Sequence, residues 1–278
     1  RSIVLLNVEL LRAAEAFRPT LVLANDLDTL LAAFMLRDRL GIDIIYDTHE
    51  VYPEQLPEDM RSQLWNRFYT ALERKLAPSA RGTMTVCDSI GRYFEKTYSV
   101  KGMVTILNVP SLGMLPDEGI LDRARNVPQR ILYHGAYFKD RGLEEVIAAS
   151  PLVENAVFEF RGIGGHEATL RRLVGEFGVE DRVQFRDPVS IAELVPQAAA
   201  CDIGLNPFIK SCRNMEFALP NKFFEYMMAG LAIVSSNLLE LRTLTERLQV
   251  GRLLDGLRPR QIASVLNELL ADADAACW

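Results

Sequence analysis

Glu225 is a carboxylate set among apolar neighbours. It stands one turn into "ALPNKFFEYMMAGLAIVSS" (218–236), beside Phe223, Phe224, Tyr226, Met227 and Met228, with Lys222 shortly before it. A solvated helix collects its charges on one polar face. An acid flanked by aromatics is costly unless a ligand docks against it. An ionised carboxylate only accepts hydrogen bonds, and a vicinal pair of hydroxyls, as on a ribose, supplies matching donors. Pro220 is a natural helix opener, which puts Asn221 and Lys222 in the first turn. A lysine there opposes the helix dipole, and a bound anion would relieve the conflict. The competing reading is a solvated i,i+3 pair between Lys222 and Glu225.

A second corner carries complementary chemistry. In "HGAYFKDRG" (134–142) a strand-like run ends at Gly135, and a short loop brings Lys139 and Arg141 into a helical segment. Phosphates on Lys139, Arg141 and helix N-termini, with a ribose on Glu225, describe a site for a nucleoside diphosphate.

Other candidates have plainer readings. His134 reads as a packed or hydrogen-bonded loop residue, and His166 as surface in a first helical turn. Asp26-x-Asp28 suits helix capping better than a metal pair, so no metal is expected. "GIGG" (162–165) lacks the full dinucleotide fingerprint. Trp65, Phe68 and Tyr69 read as core packing on a helix with a basic outer face; a lipid or glycan acceptor is the alternative.

These residues need a frame to hold them. Apolar runs alternate with helical segments throughout. The first half has strands at 20–25, 43–48, 82–87 and 103–108, with helices at 27–40, 57–78 and 88–98. Residues 109–129, rich in proline and glycine, read as a connection. The rhythm restarts with strands at 130–137, 156–162, 182–187, 201–207, 231–236 and 250–255. The helices between and after them fall at 142–150, 166–177, 190–199, 221–229, 238–247 and 258–272. Continuous apolar strands alternating with helices mark parallel sheets covered on both faces. The expected fold class is α/β, with two doubly wound, Rossmann-like domains. The first spans 1–113, and the second, with the linker, 114–278. With four strands and no glycine-rich first turn, the first domain reads as incomplete at its N-terminus.

The chain has 278 residues, 49% of them hydrophobic, and a formal charge of −6. That is enough for two cores, and it argues against a general nucleic-acid binder. No apolar run approaches the roughly 18 residues of a membrane span. Cys87, Cys201, Cys212 and Cys277 show no metal-ligand spacing and read as reduced cytosolic thiols.

"ALPNKFFEYMMAGLAIVSSNLLEL" closely resembles the donor-site segment of the family-4 retaining glycosyltransferases, which have the GT-B fold. "YHGAYFKDRGLEEVI" resembles that family's phosphate loop and "FRGIGGHEATLRRLV" its second glycine-containing turn. "LVLANDLDTLLAA" and "IIYDTHEVYPE" look like its paired strand ends near the donor sugar. The resemblance implies two domains facing a cleft and a metal-independent transferase with no cofactor. The donor would be UDP- or GDP-linked and the acceptor a glycan or lipid-linked hydroxyl, in polysaccharide biosynthesis. It implies a cytoplasmic protein with a peripheral membrane contact.

Carried over residue by residue, it makes Glu225 the ribose-binding acid and Arg141 the pyrophosphate cation. Gly135, Lys139, Asn221 and Lys222 join the donor site. His49, at a strand end, and Asp26, in the neighbouring loop, are the catalytic candidates. Phe217 occupies the place of the family's first glutamate, Glu216 being one residue off, and Ala136 that of a frequent arginine. A nucleotide-sugar 2-epimerase of the same fold, or a nucleotide-binding homologue without turnover, remains the alternative.

Overall fold

The computed structural model describes residues 3–55, 63–116 and 126–272. The start of the expected long helix (57–62), the middle of the linker (117–125) and the tail with Cys277 lie outside the described residues. The chain divides into two α/β units: residues 1–108 with 211–217, and residues 109–210 with 218–278.

The first unit opens with α1 (Ile3–Phe17), a helix that the sequence reading left unassigned. Then come β1 (Leu21–Asn25), α2 (Asp26–Leu40), β2 (Asp43–Thr48), α3 (Gln63–Leu76), β3 (Gly82–Thr85), α4 (Asp88–Tyr98) and β4 (Val104–Thr105). The strands form a parallel sheet in the order β1-β2-β3-β4. Leu11 of α1 packs with Ala32 and Leu36 of α2. The buried Asn7 keys the two helices together: its amide donates to Asp28 O at 2.7 Å and accepts from Ala32 N–H at 2.7 Å. In an unbroken α-helix those two backbone groups bond to each other, so Asn7 reaches into the ladder of α2, a known cause of helix bending.

Two features of α3 depart from expectation. Trp65 and Phe68 are exposed rather than packed in a core, as is Leu64 beside them, and Tyr69 is half-buried, while the carboxyl side chain of Glu73 is fully buried. The Tyr46 hydroxyl of β2 donates to Glu73 Oε1 at 2.6 Å, tying α3 to the sheet.

The second unit runs β5 (Gln129–His134), α5 (Leu143–Ala149), β6 (Ala156–Arg161), α6 (Glu167–Phe177), β7 (Val183–Arg186), α7 (Ile191–Ala198) and β8 (Ile203–Asn206). After the short α8 (Arg213–Glu216) of the first unit follow α9 (Asn221–Met228), β9 (Ala232–Ser236), α10 (Leu239–Leu248), β10 (Gly251–Leu254) and α11 (Pro259–Ala271). All neighbouring strands are parallel, in the order β10-β9-β8-β5-β6-β7. The chain builds outward from β5 to β7, then returns to the other side of β5 at β8. Every residue of β8 and β9 is buried, as expected for strands covered on both faces. Ile131, Tyr133, Phe158, Phe160, Leu205, Val234, Ile262 and Leu266 are among the buried core. The order reverses between β5 and β8, and in open α/β sheets ligands bind beyond the strand ends at such a point.

Candidate functional site

The residues singled out in the second unit gather at this reversal point. β5 ends at His134, followed by Gly135. Lys139 to Arg141 form a tight turn that closes at Gly142 in the left-handed region (φ 63°). Pro220 caps α9 in an extended conformation, and Asn221 is the exposed first residue of the helix.

α9 lies close against β8 because Gly204 has no side chain. A Cβ there would stand 2.4 Å from the ring of Tyr226. Tyr226 in turn holds the end of β5. Its hydroxyl accepts the His134 N–H at 2.9 Å, and its ring stacks on the His134 imidazole with centroids 4.6 Å apart.

Glu225 is not paired with Lys222. Its Oε2 lies 2.7 Å from His134 Nε2, and its side chain is 16% exposed. That contact is close but off-axis: neither ring nitrogen of the buried His134 completes a hydrogen bond. Burial pushes the imidazole below its usual pKa, while the Glu225 carboxylate pulls the other way. A neutral, buried histidine thus backs one side of the acid. His134, read from the sequence as a packed loop residue, turns out to be the partner of Glu225.

Lys222 turns inward. It is 9% exposed, and Nζ sits 3.7 Å from the Tyr133 ring centroid and 5.5 Å from that of Phe208. This removes the solvated-pair reading. Burial, then the Arg141 guanidinium, drives its pKa well below the ordinary ammonium range, against the pull of Glu225 and Asp140. A ring face returns only about 0.5–2 kcal/mol to a charged ammonium, whereas desolvating an unpaired one costs several kcal/mol. Desolvation prevails.

Arg141 lies over Phe208 at 4.8 Å, so two basic side chains approach the same ring. Lys139 is exposed at the start of the turn.

The glycines of "GIGG" serve backbone packing. A Cβ on Gly162 would come 2.0 Å from Gly135 O, and one on Gly164 2.4 Å from Tyr137 O. The turn after β6 is thereby bonded to the phosphate-loop candidate through Gly135 N–H to Arg161 O (2.9 Å) and Tyr137 N–H to Ile163 O (3.0 Å). His166, read as plain surface, places Nε2 2.5 Å from Glu144 Oε1.

In the first unit the structure brings Asp26 and His49 together. Asp26 opens α2 with φ 58°, a left-handed backbone uncommon outside glycine. Rather than capping its helix, its Oδ1 accepts the His49 N–H at 3.0 Å. His49 Nε2 lies 3.0 Å from Asp47 Oδ2, a partner the sequence reading did not name. Strained backbone held by side-chain contacts is frequent at functional sites.

Residues 211–217 pack on the same strand-end loop. Asn214 Oδ1 accepts the Val51 N–H at 2.9 Å, and its amide donates to Glu50 at 3.3 Å. Phe217, where the resemblance called for an acid, packs with Tyr93 of α4 at 6.0 Å. The sequence reading left this segment unassigned, since its partners are distant in the chain.

Among the described residues no cluster could hold a metal ion, and no helix is long and apolar enough to cross a membrane. Cys87, Cys201 and Cys212 are in no disulfide.

Residues 128–272, just over half of the chain, match the family described as Glycosyl transferases group 1, and residues 2–108 match Glycosyltransferase Family 4. Over 141 residues the chain is 28% identical to a GDP-mannose-dependent alpha-(1-6)-phosphatidylinositol monomannoside mannosyltransferase of Mycobacterium tuberculosis, covering 49% of this chain and 37% of that protein. The match therefore spans little more than a third of that relative. Sucrose-phosphate synthase from Thermosynechococcus elongatus superposes with a TM-score of 0.76 at 17% identity, over 96% of this chain and 69% of that one. Anabaena Alr3699/HepE in complex with UDP-glucose superposes with a TM-score of 0.77 at 16% identity, over 98% and 74%. At these identities the likeness is one of fold, the two parallel-sheet domains of the GT-B glycosyltransferases. The chain belongs to the group 1, or family 4, glycosyltransferases.

Proposed function

We propose that the chain transfers a sugar from a UDP- or GDP-linked donor to a hydroxyl of a glycan or lipid-linked acceptor, with retention of configuration and without a metal ion. One observation carries the reading: Glu225, Lys222, Gly135 and Arg141 converge at the strand-order reversal of the second unit. A carboxylate beside basic groups at such a crevice suits a nucleoside diphosphate, with ribose hydroxyls on Glu225 and phosphates on Lys222, Arg141 and Lys139. Asn221 adds the first N–H groups of α9.

Family membership supports the transfer. A donor nucleotide is supported by the UDP-glucose complex of the Anabaena protein and by the GDP-mannose dependence of the mycobacterial relative. That relative acts on a phosphatidylinositol mannoside. With Leu64, Trp65 and Phe68 exposed on α3, this favours a lipid-linked acceptor met at the cytoplasmic membrane face.

The chemistry is electrostatic. Lys222 and Arg141 stabilise the charge that develops on the departing diphosphate. The acceptor attacks from the leaving-group side and gives its proton to a phosphate oxygen, so no enzyme nucleophile is needed. His49, fixed by Asp26 and Asp47, takes the sugar-side role.

Calorimetric titration with UDP, GDP and ADP, on the native chain and on Glu225→Ala, tests the site. One nucleotide should bind, and the substitution should cost about 1.5–3 kcal/mol, the worth of hydrogen bonds to a charged group. Equal binding by both proteins would remove Glu225 from the site. A nucleotide-sugar panel then separates transfer, epimerisation and binding without turnover. Phe217 and Ala136, in place of an acid and an arginine, are the features that favour the last.

A further inference from the structure

As an ammonium Lys222 would carry three N–H donors, and among the described residues no acceptor charge receives them. Its side chain runs inward from the first turn of α9, and its polar end rests on the ring faces of Tyr133 and Phe208. Among the described residues no carboxylate lies within ion-pair distance of it, and Glu225 on the same helix face is engaged by His134. A Cβ on Gly135 would come 3.1 Å from Nζ, so the nitrogen lies directly over the backbone at the end of β5. The next residue, Ala136, brings no cation of its own. A basic group nine-tenths buried, set against the end of β5 at the strand-order reversal and with no counterion among the described residues, is half of an ion pair.

We propose that Lys222 is the cation that completes the diphosphate site in place of the side chain Ala136 does not supply, and that it acquires its proton together with the anion. This rests on the nucleotide reading above and adds to it a coupling between binding and proton uptake. The proton comes from the solvent: a neutral amine, a proton and the anion become an ammonium paired with a phosphate oxygen, and no other bond changes.

The groups around Lys222 fix the direction. Arg141 repels a second positive charge, while Asp140 in the same loop and Glu225 on α9 favour it. His134 and Tyr133 on β5 are held neutral by burial. Burial against the rings outweighs the two acids in the empty site. A diphosphate adds negative charge at contact distance and reverses the balance. Between the empty-site and filled-site pKa values of Lys222, binding therefore takes up a proton, and affinity falls as pH rises, by up to tenfold per unit.

The test is calorimetry of inorganic pyrophosphate and of UDP and GDP binding to the full chain, between pH 7.5 and 8.5, in two buffers of different ionisation heat. The native protein should take up more protons per anion than Lys222→Arg does. The arginine variant should bind with little uptake, because a guanidinium keeps its proton. Lys222→Met should bind at least tenfold more weakly. Equal uptake by the native and Lys222→Arg proteins, or undiminished binding by Lys222→Met, overturns the proposal. A ¹³C NMR titration of the lysine side chains decides the empty state without any ligand. One resonance, absent from Lys222→Arg, should titrate well below the others. If all titrate in the ordinary range, Lys222 is charged beforehand and the coupling is wrong. If that resonance titrates low but no anion binds, the nucleotide reading has failed instead, and the anion half of the proposal goes with it.

Discussion

His134 Nε2 stands 2.7 Å from Glu225 Oε2, and the Tyr226 hydroxyl accepts the backbone N–H of that same histidine at 2.9 Å. The end of β5 and the first turns of α9 are thus joined through adjacent residues of the helix, and the acid proposed to hold a ribose is backed by an imidazole. His134→Ala should weaken nucleotide binding by about tenfold, or ~1.4 kcal/mol, by leaving the Glu225 carboxylate unsupported. His134→Gln, which keeps a polar side chain against the acid, should recover most of that loss. Calorimetry on both variants, with thermal melts to check folding, reads the effect. Native affinity in the alanine variant would mean that Glu225 is oriented by other contacts.

Gly204 is the reason α9 can lie on β8. A Cβ at this position meets the Tyr226 ring at 2.4 Å. Gly204→Ala should therefore destabilise the protein by about 1–3 kcal/mol, the usual cost of overpacking a core. Because the displaced ring also holds His134, nucleotide affinity should fall with stability. Denaturant unfolding followed by a binding titration measures both. A variant as stable as the native chain would show that α9 shifts without cost.

Glu73 makes stability depend on pH. Burial raises its pKa from 4.5 to about 7, although the hydrogen bond from Tyr46 works against the rise. The folded chain holds this proton up to about pH 7, while the unfolded chain releases it near pH 4.5. Between those values the native state binds more protons, so stability falls as pH rises and levels off above about 7. The whole change is about 3 kcal/mol. Glu73→Gln should abolish that slope and exceed the native protein in stability at pH 8 more than at pH 5. Unfolding curves across this range decide it; parallel pH profiles would show that Glu73 is not the source.

Asn214 bonds the segment 211–217 to the loop that follows β2, through Val51 N–H and Glu50. Asn214→Ala removes both bonds, at about 1 kcal/mol each or less. The Val51 amide should then exchange with solvent severalfold faster, while the amides of β6 keep their native rates. Hydrogen exchange by NMR or mass spectrometry distinguishes this local loosening from a general loss of stability. Unchanged exchange at Val51 would show that the segment is held mainly by the packing of Phe217 on Tyr93.

What the sequence by itself determined is what short-range chemistry governs. β2 and α4 occupy the residues read from it, Asp43–Thr48 and Asp88–Tyr98, because apolar runs and helical spacing depend on neighbours only a few residues away. The parallel sheets followed from that alternation, and Glu225 was conspicuous because an acid amid aromatics conflicts with its own helix. α1 escaped because "IVLLNVELL" is too continuously apolar to show one face. Its use became visible only when Asn7 met the backbone of α2.

Only the tertiary structure decided the partners. His134 and Glu225 are far apart in the chain, as are Tyr46 and Glu73, and no periodicity says which buried polar group will answer which. Lys222 read as an anion-binding lysine, with a solvated pair with Glu225 as the competing reading because that spacing is locally permitted; the fold turned it against Tyr133 and Phe208. Residues 211–217 sit in sequence between β8 and α9 of the second unit, yet they pack with the first. Secondary structure is set by interactions that span a few residues, whereas burial and charge compensation are set by whatever the topology brings alongside. The pattern could therefore mark Glu225 as out of place but could not name the histidine beside it.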